Sequence, residues 1–280
     1  EFRKWRDLAL RRALQMPAEP SEEDLAAIIY TSGTSGHSKG VMLTHKNIVS
    51  NVSAVHDIVN LTEYDRMLSI LPLPHTFACT LGLVMPVLFG VHVYYLDKPP
   101  TGRVLLPVLA SVRPTAMLTV PLVMEKIFKS NVLPKLTGNS LSKALYQIPF
   151  IRKIMNRMAG KKLLATFGGE LWLLAIGGAP LAADAERFLR EARFPFTIGY
   201  GLTEASPMLS GTSPELARPA SAGTPVRGVT IRLGDVNPAT GEGEILAKGP
   251  NIMRGYFKLP ELTEEAFTED GWRRTGDLGA

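Results

Sequence analysis

Leu25-Ala-Ala-Ile-Ile-Tyr30 runs straight into Thr31-Ser-Gly-Thr-Ser-Gly-His-Ser-Lys-Gly40, and an apolar run, Val41-Met-Leu43, resumes behind it. The first run has strand length, the middle is a Gly/Ser/Thr-rich turn, and Thr44 is placed to cap a following helix. Reading outward, the same unit recurs. Leu68–Leu73, Pro114–Val120 and Leu171–Ile176 are further apolar runs of strand length. Each is followed by a turn signal and then by helical periodicity, as over Asp184–Arg193. Strands alternating with helices predict an α/β fold, a layered parallel β-sheet with flanking helices.

The tail changes character. From Gly223 to Ala247 the chain alternates short strands with Gly and Pro turns, including Thr230-Ile-Arg-Leu233 and Gly241-Glu-Gly-Glu-Ile-Leu-Ala247. This predicts a small antiparallel β lobe and a division near residue 212, into an α/β body over 1–212 and a β-rich part over 213–280. Residues 3–15 read as a surface helix and Met16–Ser21 as a linker. Between Thr76 and Leu96 no Asp, Glu, Lys or Arg occurs, long enough to span a bilayer. Gly82, Pro86 and Gly90 interrupt it, and Val91-His-Val-Tyr-Tyr95 is strand-like. A buried helix followed by a buried strand is therefore expected.

With 45% apolar residues the chain has an ordinary globular composition and can build a large core. A net charge of +5 suits anionic ligands such as nucleotides, coenzyme A or a lipid surface. The densest basic cluster, Arg3 to Arg12, reads as a solvated helix face, so no nucleic-acid partner is expected. Phe128–Lys162 is amphipathic and basic, broken at Pro134 and Gly138. It reads as a packed surface helix or, second, as a peripheral membrane contact. The lone cysteine, Cys79, cannot form an internal disulfide and is expected as a small buried hydrophobe. A cytoplasmic location follows, with association at the inner membrane face as the second reading. Five scattered histidines give no structural metal site.

Three stretches carry chemistry. The turn over Thr31–Gly40 offers amides, hydroxyls and the point charge of Lys39, which suits a polyphosphate; a flexible Ser/Gly hairpin is the bland alternative. It is no Walker loop, since Gly40 follows Lys39. In Gly199-Tyr-Gly-Leu-Thr-Glu-Ala-Ser-Pro207, Tyr200 can stack on a base, with Thr203 and Glu204 serving a phosphate and its Mg²⁺. The alternative is a turn with a solvated Glu. In Gly271-Trp-Arg-Arg-Thr-Gly-Asp277, the Asp either accepts from a ribose diol or caps its own turn.

Taken together the motifs resemble the adenylate-forming superfamily of acyl-CoA synthetases, luciferases and peptide-synthetase adenylation domains. The matches run in order along nearly the whole chain: the Tyr30–Gly40 turn, Leu71-Pro-Leu-Pro-His75, Gly177-Gly-Ala-Pro180, Gly199–Pro207, Gly243–Leu246 with Gly249–Tyr256, and Arg274-Thr-Gly-Asp277. Two departures lie in the first turn. Ser35 stands where the family often has Thr and keeps the hydroxyl; Ser38 stands where Pro is usual and loosens the loop.

The resemblance implies a reaction in which a carboxylate is joined to AMP and then passed to the thiol of coenzyme A. It implies ATP and coenzyme A as substrates and Mg²⁺ as cofactor. It gives Thr31, Ser32, Gly33, Thr34, Ser35, Gly36 and Lys39 to the β- and γ-phosphates and Glu204 to the metal. Thr203 takes the α-phosphate, Tyr200 stacks on adenine with Gly178, Ala179 and Pro180 lining the base, and Gly201 belongs to the same nucleotide site. Asp277 takes the ribose, and His75 lies beside the acyl carboxylate. Leu71–Phe77, the basic excursion and Gly168–Leu174 are most like the long-chain fatty acid branch, with apolar stretches such as Leu81–Phe89 lining an acyl tunnel. An aryl or medium-chain acid is the alternative, as is a non-catalytic nucleotide-binding module. The family's small C-terminal lid domain and an earlier sheet lobe are expected to be absent, so the chain reads as a fragment.

Overall fold

The computed structural model describes residues 19–32 and 38–280. The expected helix over 3–15 and most of the Gly-rich turn, Gly33, Thr34, Ser35, Gly36 and His37, lie outside the described residues. Strand β1 (Leu25–Ser32) pairs antiparallel with β2 (Ser38–Thr44), setting Thr31 opposite Lys39 and Ser32 opposite Ser38. Helix α1 (His45–Val59) starts where Thr44 predicted it. The Asn47 amide donates to Thr44 Oγ1 (3.2 Å), and the Thr44 amide donates to Asn47 Oδ1 (2.9 Å). This reciprocal cap satisfies two end groups of the helix.

Strands β3 (Arg66–Ser69), β4 (His92–Tyr95), β5 (Ala116–Thr119), β6 (Leu173–Ile176) and β7 (Phe196–Ile198) form a parallel sheet in the order β4-β3-β5-β6-β7. Its inner strands are covered on both faces, so their central residues, Met67-Leu68, Ala116-Met-Leu118 and Leu173-Leu174, are apolar. The two-residue period sorts them. Met67, Leu118 and Leu173 join α1 residues Val52 and Val55 in one core. Leu68, Met117, Leu174 and Ile176 join Leu109, Phe128, Leu163 and Phe188 in the other. The helices behind the second core are α2 (Gly102–Val112), α3 (Ser140–Tyr146), α4 (Pro149–Thr166) and α5 (Ala183–Glu191).

Three expectations need correction. The strand expected over Leu68–Leu73 ends at Ser69, because Pro72 and Pro74 lack the N–H that a central strand donates. The strand at His92–Tyr95 is not buried: β4 is the edge of the sheet, and Tyr94 and Tyr95 are 40% and 49% exposed. Cys79 is half-buried rather than buried, and that burial raises its thiol pKa. The preceding stretch is helical, as Thr76–Cys79, Thr80–Val84 and Met85–Phe89. Among the described residues no helix is long and apolar enough to cross a membrane.

The antiparallel part begins with β8 (Tyr200–Gly201), β9 (Met208–Gly211) and β10 (Thr224–Pro225), joined β10-β9-β8. The β9–β10 ladder crosses residue 212. Strands β11 (Thr230–Gly234) and β12 (Gly243–Lys248) follow; β13 (Gly255–Tyr256) pairs with β2; and β14 (Arg273–Gly279) completes a sheet in the order β11-β12-β14. The small antiparallel lobe is therefore present.

Candidate active site

A cleft of about 990 Å³ opens beyond the carboxyl ends of the parallel strands. Segments that leave β3, β5, β6 and β7 all line it, through His75, Val120, Gly178 and Tyr200. Ligands of open α/β sheets bind at this end, where successive strands diverge.

One end of the cleft is polar. The β1–β2 hairpin delivers Thr31 and Lys39; the Lys39 ammonium lies 5.3 Å from the centre of the Tyr256 ring. The turn after β8 delivers Thr203 and Glu204. Gly201 is required there, because a Cβ would meet the Pro207 carbonyl oxygen at 1.9 Å. Gly178, at φ +89°, turns the chain after β6 and also lines the cleft. Ala179 and Pro180 are exposed and do not line it.

Glu204 sits in a buried network. Tyr256 donates to its Oε1 (2.6 Å), and the Arg273 guanidinium donates to the same oxygen (3.2 Å) and to the Tyr256 hydroxyl oxygen (3.0 Å). Burial, then the Glu204 carboxylate, push the Tyr256 phenol well above its ordinary value. Tyr200 donates to Asp277 Oδ2 (2.8 Å), and its own pKa is raised by burial and by that carboxylate. Asp277 does not cap its own turn. Its amide donates to Thr275 Oγ1, and the Gly276 amide donates to Glu244. The Asp277 side chain is exposed at the cleft, next to Tyr200.

Two buried asparagines hold the loop that carries Glu204 and a third holds the turn facing it, roles that no motif assigned. Asn51 of α1 donates to the Met208 carbonyl (2.7 Å), and Asn251 donates to the carbonyls of Ala205 (2.8 Å) and Met208 (3.0 Å). Asn47 ties the facing turn through the carbonyls of Pro250 (2.7 Å) and Ile252 (2.8 Å). Arg273 and Tyr256 were also overlooked, although both stand within the quoted motifs.

The other end of the cleft is apolar, lined by Val55, Ile58, Leu81, Met85, Leu118 and Met208 among others. His75, exposed at the start of the Thr76–Cys79 helix, lines the cleft as well. Such a site takes an anionic head and an apolar body together. Among the described residues no group of three or more His, Cys, Asp or Glu could hold a metal by itself. Both hydrogen bonds to the Glu204 carboxylate use Oε1, which leaves Oε2, among the described residues, as an oxygen of the kind a Mg²⁺ binds beside phosphates and water.

The sequence and the fold find relatives. A family model described as AMP-binding enzyme matches residues 2–257. The chain is 35% identical to long-chain-fatty-acid–CoA ligase 1 of Homo sapiens over 94% of its own length and 40% of that protein. It is 35% identical to long-chain-fatty-acid–CoA ligase 4 of Saccharomyces cerevisiae over 92% and 40%. Among solved structures, ATP-bound MatB from Rhodopseudomonas palustris superposes with a TM-score of 0.73 at 30% identity, covering 94% of this chain and 47% of that one. The o-succinylbenzoate CoA synthetase of Bacillus subtilis with its acyl-adenylate intermediate gives 0.72 at 25%, covering 96% and 51%. The chain thus spans about two fifths of these curated relatives and about half of the solved chains. By its family match and by its relatives, the chain belongs to the AMP-binding enzymes, the adenylate-forming fold.

Proposed function

We propose that the chain forms the nucleotide- and acyl-binding part of an AMP-forming acyl-CoA ligase for long-chain fatty acids. A carboxylate oxygen of the acid attacks the α-phosphorus of ATP, the bond to the β-phosphate oxygen breaks, and pyrophosphate leaves. The sulfur of coenzyme A then attacks the acyl carbonyl, its proton passes to solvent, and AMP leaves. The barrier in the first step is the approach of one anion to another. Its remedy is fixed positive charge and alignment.

Lys39, with Thr31, Ser32 and the turn that follows, holds the β- and γ-phosphates in this reading. Thr203 donates to the α-phosphate. Tyr200 and Gly178 flank the base, and Asp277 accepts from the ribose. His75 lies where the carboxylate meets the phosphate. Mg²⁺, held by Glu204, would draw charge from the phosphates. The observation that carries the proposal is the single cleft in which Lys39, Glu204 and Asp277 adjoin an apolar chamber. The long-chain assignment rests on that chamber and on the relatives' names.

The test is acid-dependent ATP–pyrophosphate exchange by the full-length protein, with acids from acetate to palmitate and with benzoate. Exchange should require the acid and be fastest with the long chains. Lys39→Ala and Glu204→Gln should each lower it on the order of 100-fold. A maximum with benzoate or short acids would overturn the substrate class. ATP binding without exchange would make the protein a non-catalytic nucleotide-binding module.

A further inference from the structure

Between Phe128 and Gly169 the chain carries eight Lys and Arg and no Asp or Glu. Much of that charge lies on α4, whose inner face is fixed. Asn156, fully buried, accepts from the Tyr146 hydroxyl (3.0 Å) and donates to Glu191 (2.7 Å). Arg152 forms a two-pronged pair with the same carboxylate, and Gly160 packs so closely on Ala192 that a Cβ there would approach it to 2.6 Å. The helix therefore cannot roll.

Its outer face carries Phe150, Ile154 and Met158, which are 74%, 45% and 60% exposed. At about 100° per residue they form a stripe some 80° wide. Lys153 and Arg157 flank it on one side and Lys162 on the other, all exposed. The preceding segment adds Leu141 and Ile148, 71% and 47% exposed. The bordering acids Glu125, Glu170 and Glu191 are each engaged in ion pairs. No negative charge is thus left free beside the stripe on these borders.

We propose that this face of α4 is a docking surface for an anionic lipid bilayer. The stripe enters the boundary between headgroups and acyl chains, and the flanking cations extend to the phosphates. Charge complementarity selects this occupant: the cores of protein interfaces are depleted in charge, lysine included. A surface rich in lysine and free of acids matches a layer of lipid phosphates.

The test is co-sedimentation of the full-length protein with phosphatidylcholine vesicles, with and without about 30% phosphatidylglycerol. It needs neither ATP nor acid, so it is decided separately from the adenylation reading. Binding should require the anionic lipid. Lys153→Gln/Arg157→Gln/Lys162→Gln should weaken it at least about tenfold, since each cation near such a surface contributes roughly a fivefold factor. Phe150→Ser/Ile154→Ser/Met158→Ser should weaken it similarly while leaving the melting temperature unchanged, because these side chains face solvent. Failure of the wild type to bind, equal binding to neutral vesicles, or full binding by either variant would overturn the proposal. Loss of self-association rather than of vesicle binding in the Ser variant would identify the face as an interface between copies, and would overturn it equally.

Discussion

Glu204 and Arg273 are the residues where stability and chemistry meet most closely. Their side chains are 14% and 7% exposed, and a broken buried pair leaves an uncompensated charge. Arg273→Met should therefore lower the unfolding free energy by roughly 3 kcal/mol. In Arg273→Met/Glu204→Gln much of that loss should return, because no charge is stranded. Urea unfolding of the four proteins gives the coupling directly; additive losses would remove the pair as a unit. None of this was legible in the sequence. Nothing in the sequence sets Arg273 apart from Arg274, and the two differ only in the fold: Arg274 pairs with Glu244 at the surface, while Arg273 is buried. Tyr200 and Asp277 stood out as candidates because short Gly-rich turns hold them, and both line the cleft; their mutual hydrogen bond, across 77 positions, was not legible.

At the scale of elements, the strands and α1 followed from apolar runs and from the cap at Thr44, since both signals are local. The departures are also local in origin: β3 stops short of two prolines, and the apolar stretch His92–Tyr95 forms the sheet edge rather than its interior. The asparagine clamps escaped notice because each joins segments far apart in sequence. Asp65 is another such tie. It accepts from Trp172 Nε1 (2.8 Å), Thr115 Oγ1 (2.7 Å) and the Thr62 amide (2.9 Å), fastening β3 to the segments that enter β5 and β6. Burial alone would raise its pKa, but the hydrogen bonds outweigh burial and hold it below the ordinary value. A depressed folded pKa stabilises the protein above the unfolded value of about 3.9, and the benefit fades as pH falls toward the folded one. The acid limb of the stability profile should thus flatten in Asp65→Asn. Urea midpoints measured between neutral pH and about pH 3 should show this, and an unchanged limb would contradict it.

Across the whole molecule, the fold gathers turns from distant parts of the chain around one cleft. The hairpin brings Lys39, the loop after β8 brings Glu204, and β14 brings Asp277. The order of the motifs made this convergence expected; the apolar chamber beside it was indistinguishable from ordinary core until the strands were in place. The most direct test is a crystal structure of the full-length protein with a non-hydrolysable long-chain acyl-adenylate. The account predicts the ribose hydroxyls on Asp277, the phosphate-like group at Thr203 and the tail among Val55, Leu81 and Met85. An adenylate bound away from Asp277 and Thr203, or a tail lying outside that chamber, would contradict it.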